Sequence, residues 1–173
     1  TYSEIGQLAG VHQTDWSWSA LLADYDNDGL RDLYVTNGFH RDLGDLDYIN
    51  FVNTNPFGDP AARRAEQLKR IKAQPRATLP NYAFQNTNGW QMEDVSAQWG
   101  LNQQACSHGA AYADFDNDGD LDLVVNNVGE SALVYRNTSR ETNGQHFLQL
   151  TLEGEDAIGA QITLYAGEDR FFA

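Results

Sequence analysis

Two nine-residue strings hold the residues best placed to do chemistry. Asp24-Tyr25-Asp26-Asn27-Asp28-Gly29-Leu30-Arg31-Asp32 and Asp114-Phe115-Asp116-Asn117-Asp118-Gly119-Asp120-Leu121-Asp122 both set carboxylates at positions 1, 3, 5 and 9, with glycine at 6. Carboxylates this dense repel one another in a folded loop. A hard cation ringed by about six to eight oxygens at ~2.3–2.6 Å turns that repulsion into attraction. Gly29 and Gly119 permit the sharp turn, and the carbonyls of Leu30 and Asp120, at position 7, stand to add a backbone oxygen. Ca²⁺ suits such a loop better than Mg²⁺, which takes fewer protein ligands and keeps its waters. An EF-hand would need a bidentate Glu at position 12, where this chain has Val35 and Val125. The expectation is two calcium sites, on Asp24, Asp26, Asp28, Leu30 and Asp32 and on Asp114, Asp116, Asp118, Asp120 and Asp122. The competing reading is a pair of Asp-rich turns that cap their own backbone.

The two loops lie 90 residues apart, and the match between them spreads outward on both sides. ADYDNDGLRDLYV, 23–35, falls on ADFDNDGDLDLVV, 113–125, without a gap; Glu4-Ile5 falls on Asp94-Val95, Gly10-Val11 on Gly100-Leu101 and Asn37 on Asn127. Such a repeat marks one supersecondary unit used twice. Short apolar runs flank both loops and predict strands over 16–25 and 33–36, then over 110–115 and 121–126. Tyr82–Asn86 and Ser131–Asn137 read as further, mutually equivalent strands. About four short strands per unit would suit a β-propeller blade.

Between the copies, Pro60–Gln74 is predicted as a helix, with Asp59 as N-cap, Pro60 at its first position and Pro75 as its stop. It carries five of the chain's eleven basic residues and reads as a solvated face, with 42–56 as the loop leading into it. From 145 onward HFLQLTLEG and AIGAQITLYAG alternate like the two strands of a hairpin turning at 154–157. The domain reading is a first repeat over 1–40, an insertion over 41–80, a second repeat over 81–140 and a separate β module over 143–173.

The 173 residues carry a net charge of −14, with 41% hydrophobic and 12% aromatic residues, which is enough apolar mass for a core. That charge argues against a phosphate-tracking nucleic-acid binder. Cys106 is the single cysteine, so an internal disulfide is excluded, and its expected role is a small buried apolar residue. No apolar run reaches the length of a membrane span, and the opening Thr1-Tyr2-Ser3-Glu4 lacks Met and a leader, as expected of a soluble chain processed or cut from something longer. No catalytic constellation is found. Ser107 beside His108, or Cys106 with His108, is rejected as a nucleophile pair because strand neighbours point to opposite faces. His12, His40, His108 and His146 lack metal-ligand spacing. Trp16 and Trp18 stand where the second copy has Cys106 and His108. The blade does not require their rings, so they are candidates for ligand contact.

DYDNDGLRDLYVTNG and DFDNDGDLDLVVNN resemble the calcium loops of FG-GAP/VCBS repeats, the blades of integrin-α-like propellers. GQHFLQLTLEG with DAIGAQITLYAG resembles the start of the ASPIC/UnbV module that follows such repeats in the cartilage acidic protein family. NGFHRDLGDLDYINF and LPNYAFQN are most similar to versions from Bacteroidota. The resemblance implies an all-β fold of propeller blades, with Asp24, Asp26, Asp28 and Asp32 and Asp114, Asp116, Asp118 and Asp122 as side-chain ligands. It further implies a secreted or cell-surface location, outer-membrane-associated or lipoprotein-linked in Bacteroidota. Two acidic loops fall short of a closed propeller, so the rest of a propeller or partner subunits would cover the blade edges. The expected role is recognition of a glycan or a protein, with calcium structural. The alternatives are the non-catalytic portion of a carbohydrate-active lyase or hydrolase, or a surface scaffold.

Overall fold

The computed structural model describes residues 2–41, 59–74, 76–144, 147–154, 159–167 and 169–172. Its framework is antiparallel. A first sheet runs β1 (Ser17–Ala23), β2 (Asp32–Asn37), β4 (Tyr82–Asn86) and β5 (Met92–Asp94) in spatial order, and β3 (Leu79–Pro80) pairs separately with β6 (Gln104–Ala105). A second sheet runs β7 (Ser107–Ala113), β8 (Asp122–Asn127) and β9 (Leu133–Tyr135). Among the described residues there are three helices: α1 (Gly6–Ala9), α2 (Pro60–Ala73) and α3 (Ser139–Asn143).

The 90-residue repeat survives down to the irregularities of the ladder. Ala20 opposes Val35 and Ala23 opposes Asp32; in the second sheet Ala110 opposes Val125 and Ala113 opposes Asp122. Both hairpins slip register at the same place, Ser17/Ser19 and Ser107/Gly109. The next strands also correspond, with Leu33 opposite Phe84 and Leu123 opposite Tyr135. Gln85 is therefore equivalent to Arg136, and Asn86 to Asn137.

The core is shared by both sheets: Ala23, Tyr25, Tyr34 and Ala83 from the first cluster with Leu123 and Val125 from the second, and Val95 closes one side. A polar line, buried from Asn37 onward, ties the sheets at their opposite end. Ser17 Oγ donates to Asn37 Oδ1, Asn37 N–H to Asn81 Oδ1, Asn81 Nδ2 to Ser107 Oγ, and Ser107 Oγ to Asn127 Oδ1, over 2.7–3.0 Å. Unpaired, such groups would each cost about 1–3 kcal/mol, so the line selects this docking over others. Gly38 makes it possible, because a Cβ there would lie 2.7 Å from the Ala105 carbonyl oxygen.

Two boundaries differ from the sequence reading. β4 and β5 complete the first sheet, so the division at residue 81 does not coincide with the division between sheets. The repeat begins on a sheet's outermost strand, which puts its phase one strand out of step with the sheets. At the end of the chain, Phe147–Leu152 alternates as expected but forms no strand among the described residues. Alternation gives a strand a face, and a ladder partner is still required. The observed hairpin is instead β10 (Thr163–Ala166) with β11 (Asp169–Phe172). The proposed connection at 154–157 and the loop over 42–56 lie largely or wholly outside the described residues.

Helix α2 follows its signals closely: Asp59 accepts from the N–H groups of Ala61 and Ala62 at 3.2 and 3.3 Å, and none of the helix's residues is buried. Among the described residues no helix is long and apolar enough to cross a membrane.

Candidate metal centres

Each acidic loop lies between the two strands of a hairpin, β1 and β2 or β7 and β8, and folds around its own carboxylates. In the first, Asp24 accepts from Asp28 N–H (3.1 Å) and Gly29 N–H (2.9 Å), and Asp28 Oδ1 accepts from Leu30 N–H (2.7 Å). In the second, Asp114 accepts from Asp118 N–H (3.1 Å) and Gly119 N–H (3.0 Å), and Asp118 Oδ1 from Asp120 N–H (3.1 Å). The turn needs left-handed backbone twice per loop. It is supplied by Asn27 and Asn117, with φ of 59° and 60°, and by Gly29 and Gly119, with φ of 90° and 94°. Asn tolerates that region better than most side chains, and Gly is free in it. At Gly119 the Phe147 ring occupies the space a Cβ would take.

Position 9 is the most tightly held. Asp32 is fully buried and accepts from Tyr25 N–H (3.0 Å) and, across the sheet, from Asn86 N–H (2.9 Å). Asp122 accepts likewise from Phe115 N–H (3.0 Å) and Asn137 N–H (2.8 Å). These contacts fix one carboxylate per loop beneath the other two. Asp24, Asp26 and Asp32 bring oxygens within 4.8 Å of one another, and so do Asp114, Asp116 and Asp122. Burial pushes the Asp24 and Asp26 carboxyls above their usual range and lifts Asp32 to about 6, against the pull of its N–H donors. Desolvated carboxylates gathered this closely disfavour their own ionisation, and a bound cation would reverse the sign. The all-oxygen donor set fits a hard divalent ion.

Of the ten residues predicted as ligands, the structure gathers Asp24, Asp26, Asp32, Asp114, Asp116 and Asp122 into these two triads. Asp28 lies outside the first. Asp118 and Asp120 fall in a third acidic group, with Glu141. The Asp120 side chain is buried as a brace between loops, accepting from Asn27 Nδ2 at 2.5 Å and from Arg140 N–H at 2.8 Å.

Sequence reasoning missed the residues that β4 and the two positions after β9 contribute. Gln85 Nε2 donates to Asp26 Oδ2 at 2.5 Å; at the equivalent place Arg136 Nε donates to Asp116 Oδ2 at 2.8 Å, and its Nη2 reaches Asp118 (3.2 Å) and Glu141 (2.9 Å). Asn86 and Asn137 add amide bonds to the carbonyls of Arg31 and Leu121. Their signal is an aromatic residue two places before an Asn, in AFQN and VYRN. A cleft of about 400 Å³ opens beside the loops, lined by Tyr25, Asp26, Trp99, Tyr135 and Arg136 among others.

Trp16 and Trp18 are both about half exposed. Trp16 packs on Phe39, and Trp18 lies 4.5 Å from the His108 ring and donates its Nε1–H to Gly38 O at 2.5 Å. Cys106 corrects one argument: it is two residues from His108, so the two share a face, and Sγ lies 3.7 Å from His108 Nε2. The thiol is nonetheless fully buried, and burial pushes its pKa up, which makes it a packing residue and not a nucleophile.

No family model matches the chain, and no curated protein matches it.

Proposed function

We propose that the chain is a calcium-stabilised piece of a β-propeller of the FG-GAP/VCBS kind, a secreted or surface-exposed recognition module for a glycan or a protein. The observation that carries this reading is the pair of equivalent carboxylate triads, built on one hairpin pattern and braced by the same N–H donors from the neighbouring strand. A triad of oxygens in a strand-to-strand turn, with Asn and Gly holding the left-handed positions, suits an ion that tolerates irregular coordination and completes its shell with carbonyls and water. Each sheet is then one blade, and calcium sets the shape of the loops at its end. Calcium is structural here: a carboxylate committed to a cation is a poor proton donor. The half-exposed Trp16 and Trp18 are the rings this reading offers to a ligand.

Calorimetric titration of chelator-treated protein with Ca²⁺, and with Mg²⁺ as the control, tests it. Two calcium events with little magnesium heat support the reading. No binding up to several millimolar, beyond the range of extracellular calcium modules, overturns it.

A further inference from the structure

The two sheets differ at their outer edges, and the chain contains the piece that would remove the difference. In the first sheet residues 92–101 seal the edge. Asp94 lies opposite Phe84 and Met92 opposite Asn86; Val95 N–H donates to Ala83 O at 2.9 Å, and Ser96 Oγ accepts from Ala83 N–H at 2.8 Å. Ala83 is left 1% exposed and Val95 6%. The segment then turns through three backbone bonds, Trp99 N–H to Val95 O, Gly100 N–H to Ala97 O and Leu101 N–H to Ser96 O.

Residues 2–11, ninety places earlier, make the same three bonds: Ala9 N–H to Ile5 O, Gly10 N–H to Gln7 O and Val11 N–H to Gly6 O. The entry to the turn is copied too, since Gly6 N–H donates to the Glu4 carboxylate as Ser96 N–H does to Asp94. A second sealing segment is thus already folded, yet residues 2–5 pair with no strand among the described residues, and Ile5, the counterpart of Val95, is 40% exposed. At the other end of the molecule β9 has no outer partner among the described residues. Val134, in the register of Ala83, is 70% exposed.

We propose that residues 2–11 of one copy seal β9 of a second copy, with Glu4 opposite Tyr135 and Ile5 over Val134, so that the chain associates head to tail. The contact is strand addition to an open edge, with main-chain bonds giving affinity and the Ile5–Val134 contact giving register. Gly6 stands where the first sheet has Ser96, so one side-chain bond of the template is missing and the contact is weaker than its intramolecular twin. The inference rests on strand register and does not depend on the metal or ligand reading. A heterologous contact of this kind builds rings or filaments rather than stopping at a dimer.

Sedimentation of the full chain across a concentration series tests this, with Ile5→Asp blocking the sealing segment and Val134→Asp the receiving edge. Both positions are exposed, and circular dichroism verifies that each variant folds. The wild type is expected to form species beyond the dimer as concentration rises. Each variant alone is expected to remain monomeric, and their equimolar mixture to stop at a heterodimer, in which the intact Tyr2–Val11 of V134D meets the intact β9 of I5D. A wild type that stays monomeric at millimolar concentration overturns the proposal. So do folded variants that associate as the wild type does, or a mixture that stays monomeric.

Discussion

The loops at 24–32 and 114–122 have one backbone and two electrostatic characters. The bonds to their first and ninth aspartates, their left-handed positions and their buried ninth aspartates correspond. The residue leaning on position 3 from the next strand differs: neutral Gln85 in the first, Arg136 in the second. Position 7 differs as well, Leu30 against Asp120, whose carboxylate reaches back to Asn27 of the first loop. The cage comes from local turn chemistry that the repeat preserves, whereas its charge is set by residues outside the matched segment, Gln85 in β4 and Arg136 just past β9. In the second loop a guanidinium already offsets part of the carboxylate charge that a metal would otherwise neutralise, and the Asp120 N–H, with that guanidinium behind it, holds Asp118 below the usual carboxylate range.

Removing the ion from both loops should have the largest effect. An ion at about a hundred times its dissociation constant stabilises by about 2.7 kcal/mol per site, so two sites shift the melting temperature by roughly 10–20 °C in a domain of this size. Scanning calorimetry with calcium and with chelator measures it, and a shift of a degree or two would mean that the turns stand on their own hydrogen bonds. Next in size is the contrast within one loop. Asp32→Ala strands the buried Tyr25 and Asn86 N–H groups and should cost about 2–4 kcal/mol even without metal, whereas Asp28→Ala, at an exposed position, should cost under about 1 kcal/mol. Urea denaturation in chelator compares them directly. Equal losses would show that position 9 is not the fixed point of the cage.

This internal contrast also explains what could be read from the sequence. The two loops, the strands around them and helix α2 were legible because their determinants are local: Asp and Gly at fixed offsets, β-branched and aromatic runs, Asp59 and Pro60 at a helix start. Six of the ten predicted ligands converge because positions 1, 3 and 9 are set by the turn itself. The second role of Asp120, bracing the first loop through its side chain, is not legible in the sequence because its partner, Asn27, is 93 residues away. Gln85, Arg136, Asn86 and Asn137 were invisible as site residues for the same reason: only the pairing of β4 with β2 and of β9 with β8 brings them to the loops. The assignment of β5 to the first sheet likewise needed the ladder, since the repeat's phase pointed to the second. Alternation over Phe147–Leu152 had the right period and lacked a partner strand.

The raised carboxyl of Asp32 gives the comparison a pH axis. Its folded value of about 6 lies above the unfolded value of about 3.9, so in metal-free protein its contribution to stability is fully present below about pH 4 and is lost as the pH rises through about 6. Chelated protein should therefore melt lower at pH 7 than at pH 5, and Asp32→Asn should flatten that fall. With calcium bound the direction reverses, because the ion binds the carboxylate and acid displaces it. A chelated protein that gains stability through this window would mean that the Asp32 charge is satisfied without a cation.

The smallest effect isolates the difference between the loops. Arg136 and Asp116 form an exposed ion pair, of a kind worth about 1 kcal/mol or less, yet the guanidinium also adds repulsion against an incoming cation. The second site should therefore bind calcium about three- to tenfold more weakly than the first. Arg136→Gln should bring the two dissociation constants together by strengthening the second, and Gln85→Arg should do so by weakening the first. Titrations of the single variants and the double exchange separate these outcomes, because the double variant should invert the order of filling. If neither substitution moves either constant, Asp120 becomes the residue that distinguishes the sites, and Asp120→Leu, which restores the first loop's residue at position 7, is the variant that should erase the difference.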